Sequence, residues 1–387
     1  MEQRTYKLRD FAQDISVAVK DAQSHHLDKF VGLEHYDSGE PVITRYTDTS
    51  LITSSVKEFH KNDILIARRN VYLKRAGIAF FDGLTSGDSI ILRIFDDSEK
   101  RTGIPKEDAV KIIPFVLNSN DFWAYANKHA DGMNSKRISK EMLYDYEFSL
   151  PSLSEIRQLY SKLWAAYNLK EAYKKLLSAT DEMVKSQFIE MFENHNYMSV
   201  PLAELIDKSF PGEWGTEDEN GNGTKVIRTT NITNSDKLDL SDVVTRNIVA
   251  AKLQKKQLCR GDILLERSGG TKDNPVGRVA YFDEDGVFVT NNFTQTLRCN
   301  NNIESRYLFY FLYYFYNLNK MKIRSMGNQT TGIQNLNMDD YMQISVIVPP
   351  RDLQKQFISI VTQADKSKFE LRQAIEKIDK VIKSLLQ

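Results

Sequence analysis

Ten residues written twice constrain this chain more than anything else in it. KNDILIARRN at 61–70 returns at 260–269 as RGDILLERSG. Both phrases run basic residue, small polar residue, Asp, Ile, Leu, aliphatic residue, with Arg two positions later. The likeness continues on either side. GIAFFD (77–82) is answered by GRVAYFD (277–283), ILR (91–93) by TLR (296–298), and DGMNSKRIS (131–139) by MGNQTTGIQ (326–334). LPSLSEIRQ (150–158) sits opposite VPPRDLQKQ (348–356) with Pro151 and Pro349 in register, and YKLRDF (6–11) opens one copy as SVPLAEL (199–205) opens the other. A period of half the chain means tandem duplication of one large unit, not a solenoid of small repeats.

Each copy has the same plan. Short β-type runs come first: DILIA, GIAFF and SIILRIF, then DILLE, GRVAYF and GVFVTNN. A helical segment follows. In the second copy it is ESRYLFYFLYYFYNLNK (304–320), whose Leu308, Phe311 and Phe315 at helical spacing predict a buried core helix. Each copy then closes with Pro and a long helix. In the C-terminal helix Ala364, Ser367, Leu371, Ala374, Ile378, Val381 and Leu385 alternate steps of three and four. Shifted by 198, the central helix offers Ala166, Leu169, Tyr173, Leu176, Thr180, Met183 and Gln187. That spacing predicts a coiled-coil seam. Its apolar members are Leu169, Tyr173, Leu176 and Met183 against Leu371, Ala374, Ile378, Val381 and Leu385. Each helix covering only its own globular domain is the alternative, but shared register and equal length favour pairing.

The fold class expected is therefore α+β: a globular α/β domain and a long helix, made twice, with the helices packed as an antiparallel coiled coil about a pseudo-two-fold axis. The expected boundaries are 1–150, 151–194 for the central helix, 195–350, and 351–387 for the C-terminal helix. Two similar domains held at fixed spacing suit a target with its own approximate dyad, and duplex DNA is the obvious one.

Composition narrows the class further. There is no run of 18 apolar residues and no signal peptide behind MEQRTYKLRD, and Cys259 and Cys299 match no metal spacing. A reduced, cytoplasmic protein with no membrane segment is the expectation. Formal net charge is zero, which argues against coating nucleic acid by bulk electrostatics but leaves room for cations concentrated in loops. No Asn/Asp-Pro-Pro-Tyr/Phe motif, no HExxH and no Walker loop is present, and the two copies share none of the six histidines. Asp63 and Asp262 recur, but each opens a strand, where a turn or main-chain hydrogen bond explains it. Neither catalysis nor a cofactor or metal is expected.

The duplicated plan resembles the specificity subunit of type I restriction–modification systems. The residues that carry the resemblance are RGDILLERSG (260–269) with GRVA (277–280), GNQTTGIQ (327–334), VPP…QKQ (348–356) and the helix pair. It implies two target recognition domains, about 1–150 and 197–350, each reading one half of a bipartite site on double-stranded DNA. The helices would fix the spacer and dock two copies of a methyltransferase subunit that modifies adenine N6, and a restriction subunit with motor and nuclease would join. A pseudo-dimeric protein-binding adaptor without DNA specificity is the competing reading. The first copy departs from the pattern: Asn62 replaces Gly261, and the SGG of 268–270 has no counterpart after Arg69.

DNA contacts are expected from loops, with Arg and Lys on phosphates and guanine edges and amides on adenine. In the first copy ARRNVYLKRAG (67–77) gives Arg68, Arg69, Lys74 and Arg75. Its counterpart ERSGGTKDNPVGR (266–278) gives Arg267, Ser268, Lys272, Asn274 and Arg278. Asn328, Gln329 and Thr330 form a third group, with Asn134, Lys136 and Arg137 as first-copy counterparts. Asn292 and Gln295 complete the set, as strand residues facing the groove or, in the alternative, as plain surface.

Overall fold

The computed structural model describes residues 4–23, 26–133, 135–193, 195–233, 238–271, 273–330 and 333–386. The chain divides into two compact units, residues 1–175 with 371–387, and residues 176–370. The first unit thus takes in the end of the C-terminal helix, and the second takes in the end of the central helix.

In the first unit two five-stranded sheets share a core. One has Ser89–Ile94 and Ile64–Ala67 at its centre, flanked by Ala12–Asp14, Ala76–Ala79 and Val42–Ile43. The other is built on Val56–Phe59, Gly83–Ser86 and Lys29–Val31. The repeated DIL run is a strand buried at every position, Ile64–Ala67, as near-continuous aliphatic strands covered on both faces are. Helices Lys106–Val116 and Asn120–Lys128 cover the first sheet with Ile112, Ile113, Phe115, Phe122 and Trp123. An antiparallel ribbon of Arg4–Lys7 and Glu147–Leu150 closes the domain before the central helix, Leu153–Phe188.

The second unit repeats the design with less sheet. Ile206–Pro211, Thr294–Cys299, Ile263–Glu266 and Val279–Tyr281 form one sheet in that order, and Thr216–Glu217, Val244–Asn247, Thr224–Ile227 and Phe288–Thr290 form the second. The segment 304–320 is a helix, Ser305–Leu318, with Leu308 and Phe311 buried and Phe315 partly so. The closing ribbon pairs Ser199–Pro201 with Ser345–Ile347, and the helix Arg351–Leu385 follows.

The start of the DIL strand in both copies is an ion pair with a buried carboxylate. Both oxygens of the Asp63 carboxylate accept from Arg93 Nε and Nη2, at 2.8 and 2.7 Å, and Oδ2 also accepts from His60 N–H at 2.7 Å. Asp262 repeats it with Arg298 at 2.7 and 2.7 Å and Cys259 N–H at 2.8 Å. The main-chain hydrogen bond expected of these acids is therefore present. The arginine, which is the R of ILR and TLR, was missed. The residue between is left-handed in both copies, φ 72° at Asn62 and 93° at Gly261, a region that Asn tolerates better than other side chains do, so the exchange leaves the turn intact.

The seam of the long helices keeps part of the expected line, Tyr173 being half-buried as expected, and departs from it elsewhere by one residue. Leu169, Leu176 and Met183 are exposed, as are Ser367 and Val381, while Lys170, Val184 and Lys368 are buried. Ala364 is buried and Leu371, Ala374, Ile378 and Leu385 are half-buried, as the spacing predicts. The displacement has a chemical cause. Lys170 Nζ lies 2.6 Å from Asp379 Oδ1 and 2.6 Å from Glu40 Oε1. In the second unit Lys368 Nζ lies 2.9 Å from Asp181 Oδ1. A lysine can lie in a seam when its charge is paired there. Residue numbers rise along one helix as they fall along the other, so the pair is antiparallel. A shift of 198 carries Lys170 onto Lys368 and Asp181 onto Asp379, so the same contact is made twice. No helix among the described residues is long and apolar enough to cross a membrane.

Candidate nucleic-acid interface

In each unit the loop leaving the DIL strand is tied, backbone to backbone, to a distant loop. Ile138 N–H donates to Arg68 O at 3.1 Å, and Leu336 N–H donates to Arg267 O at 2.8 Å. One residue further on, Arg69 is bridged to Arg137, as Ser268 is to Asn335. Asn70 takes the left-handed conformation, φ 52°, where Gly269 stands at 122°, which answers the missing SGG: Asn supplies the bend. A turn from the second sheet comes in beside each pair, through Arg68 N–H to Asp88 O at 3.1 Å and Arg267 N–H to Phe293 O at 2.8 Å. Each site is thus three backbone segments, hydrogen-bonded to one another.

This register revises the alignment of the third loop. Lys136 and Arg137 correspond to Gln334 and Asn335, beyond the group Asn328, Gln329 and Thr330. The second copy extends the loop into a hairpin, Gly327–Thr330 with Ile333–Leu336, where the first has the short closure Asp131 to Arg137. Gln334 clamps that hairpin: its Oε1 accepts from Val276 N–H at 3.3 Å and its Nε2 donates to Arg324 O at 3.1 Å. A Cβ at Gly327 would lie 2.6 Å from Gln334 Nε2, so the clamp requires glycine there. Gln334 and Asn335 escaped the sequence reading, which stopped at the glycine-bounded GNQTTG. The signal that points to them is the buried Ile138 and Leu336 that follow.

The expected contact residues separate into three groups. Arg68, Arg69, Lys74, Lys136, Arg137, Arg267, Asn292 and Asn328 lie at least partly exposed on or beside these loops. Arg68 and Arg69 share the Asp88 carboxylate, at 3.6 and 3.1 Å, an acid that the sequence reading overlooked. Lys74 stands in the left-handed region at φ 51°, an uncommon conformation for a lysine.

Other members serve the scaffold. Arg75 donates from Nη1 to Leu33 O at 3.0 Å and from Nη2 to Arg69 O at 2.9 Å. Arg278, which leaves its loop at the same register point, donates to Ile232 O at 2.6 Å and Thr229 O at 3.4 Å. It also grips Glu266 through Nε at 2.7 Å and Nη2 at 3.0 Å, and that hydrogen-bonded pairing raises the pKa of its guanidinium. Burial lowers that of Arg75. Both arginines strap a short 3-10 turn of the second sheet, Leu33–His35 or Thr229–Asn231, to the loop strand. Ser268 is buried in the bridge, Asn274 accepts from Lys320 Nζ at 3.0 Å, and Gln295 is buried with its amide donating to Ser209 Oγ at 2.7 Å. These five are turned inward or engaged. Asn134 and Lys272 lie outside the described residues, as do the side chains of Gln329 and Thr330. Among the described residues no group of three or more His, Cys, Asp or Glu could hold a metal ion.

Comparison with known proteins agrees with this architecture. Residues 194–380 match the family model described as "Type I restriction modification DNA specificity domain". A chain from a structure of a type I R-M system, described for its complex assembly and conformational transition, matches with TM-score 0.56 at 15% identity over 99% of this chain and 96% of its own. The type I restriction–modification S subunit from M. genitalium matches with TM-score 0.57 at 12% identity over 100% of this chain and 95% of its own. No curated protein matches significantly. The second half of the chain is therefore a type I restriction modification DNA specificity domain, and the whole chain has the fold of a type I specificity subunit.

Proposed function

We propose that this specificity subunit reads a bipartite sequence on double-stranded DNA, one half through each unit, and directs adenine-N6 methylation and cleavage carried out by partner subunits. It performs no chemistry itself. One observation carries the reading: the same three-segment loop assembly is built twice, on the same strand, with cationic and amide side chains outermost. Phosphate contacts come from Arg68, Arg69, Lys74 and Lys136 in the first unit and from Arg267 in the second. Asn292 and Asn328 face base edges. Concentrating the cations in these loops explains how a chain of zero net charge binds a polyanion.

The partners proposed are two copies of a methyltransferase subunit and a restriction subunit bearing motor and nuclease. Leu169, Leu176 and Met183 recur every seven residues on the central helix and are left exposed, as a partner helix would require. The antiparallel helices set the spacer between half-sites.

Co-expression with an adenine methyltransferase partner, in a host lacking adenine methylation, tests the proposal. Mapped N6-methyladenines should define a two-part motif with a fixed spacer and one marked adenine on each strand. Association without DNA methylation or salt-sensitive DNA affinity would overturn it in favour of the protein-binding adaptor.

A further inference from the structure

We infer that Arg137 and Asn335 occupy the same base-reading position in the two units, and that the first unit reads a guanine there and the second an adenine. The inference rests on the DNA-reading function proposed above and assigns the chemistry at one point of it.

The duplication supplies the argument, because it lets two solutions of one design be compared in a single chain. What the two loop assemblies share builds them. Arg68 and Arg267 hold the same place, each accepting at its carbonyl from the N–H of a buried aliphatic residue. Those residues, Ile138 at 2% exposure and Leu336 at 5%, peg the distant loop to the core. Side chains alternate along an extended segment, so the residue before each peg faces away from the core. That residue is Arg137 in one copy and Asn335 in the other, both bridged to the position after the shared arginine. Among the described residues neither the Arg137 guanidinium nor the Asn335 carboxamide makes a hydrogen bond or ion pair. Gln334, next to Asn335, is in contrast fully engaged in the hairpin clamp.

The two side chains are chemically opposed at a base edge. Arginine presents parallel N–H donors and no acceptor, which fits the O6 and N7 acceptors of guanine. Asparagine presents one donor and one acceptor side by side, which fits N7 and the N6 amino group of adenine. A single scaffold thus holds two different purine readers, as a subunit with an asymmetric site needs.

The test uses the full chain in complex with its adenine methyltransferase, selecting from duplexes with a long randomised segment, followed by sequencing. Asn335→Arg should move one position of one half-site from adenine to guanine, shifting the A-to-G preference there by about 10- to 100-fold, with the other half-site and the spacer unchanged. Arg137→Asn should produce the reciprocal change in the other half-site, so the inference survives a folding failure of either variant alone. A wild-type motif that both folded variants leave unaltered overturns the inference while sparing the proposed function. A wild-type complex that enriches no motif overturns both.

Discussion

Replacing Arg298 with Met isolates the ion pair on which the second reading loop is launched. The thioether keeps an apolar stem beside Phe210 but removes both donors from Asp262, whose side chain is 1% exposed. The carboxylate then retains only the Cys259 N–H. Uncovering one member of a buried pair costs roughly 3–5 kcal/mol. A quarter of the Arg298 side chain already meets solvent, so water recovers part of that and the lower end applies. About 3 kcal/mol corresponds to roughly a hundredfold faster exchange of strand amides that open with the unit. Hydrogen-exchange mass spectrometry reads this in peptides covering 260–282, with 61–82 as the internal control. In Asp262→Asn/Arg298→Met the stranded charge is gone and the amide oxygen still accepts from Cys259 N–H, so at least about 1 kcal/mol should return. Exchange in Arg298→Met within threefold of wild type, or a double variant no more protected than the single one, would refute the buried-pair argument.

Arg267→Ala should weaken DNA binding and make its salt dependence shallower by about one unit of slope, whereas Arg278→Met should leave the slope unchanged and instead lower the stability of the second unit by roughly 3 kcal/mol; salt titrations with urea unfolding separate the two roles. Burial pushes the half-buried Cys299 thiol up to about 12, so at pH 8 only about one in ten thousand is thiolate, and a disulfide reagent should titrate the exposed Cys259 quickly and Cys299 far more slowly until the protein unfolds. Inserting seven residues between Lys175 and Leu176, about 10 Å of helix, should change the spacer in the selected motif without altering either half-site; altered half-sites would sink the ruler.

Much of this architecture can be read from the chain because duplication repeats its signals. The DIL strands, the aromatic core helix and the two closing helices each follow from periodicity and from a second copy in register. What escaped reading are side chains whose burial depends on a partner far away in sequence. Lys170 belongs to the seam only because Asp379 and Glu40 meet it, more than 100 residues off in either direction. An apolar criterion therefore selected Leu169 in place of its buried neighbour Lys170. Arg75 and Arg278 likewise read as loop cations until their carbonyl partners, 42 to 49 residues upstream, come into place.

The same duplication separates scaffold from reader on physical grounds. Two units that bind different sequences must keep whatever positions the loop and change whatever touches the base. Asp63 with Arg93 and Asp262 with Arg298, Arg75 and Arg278, and the Lys–Asp contacts of the helices are kept in residue and in geometry. Arg137 against Asn335 stands on matched backbone and is changed, whereas Ser268 and Gln334, opposite Arg69 and Lys136, hold the bridge and the hairpin. The first copy is richer in cations at these points and holds two of them with Asp88, while the second replaces charge with amides and a longer hairpin. Loss of DNA affinity at raised salt should accordingly come earlier for the half-site read by the first unit, because more of its contacts release counterions. Footprinting each half-site across a salt series checks this, and equal salt slopes for the two would show that the added cations do not face the phosphates.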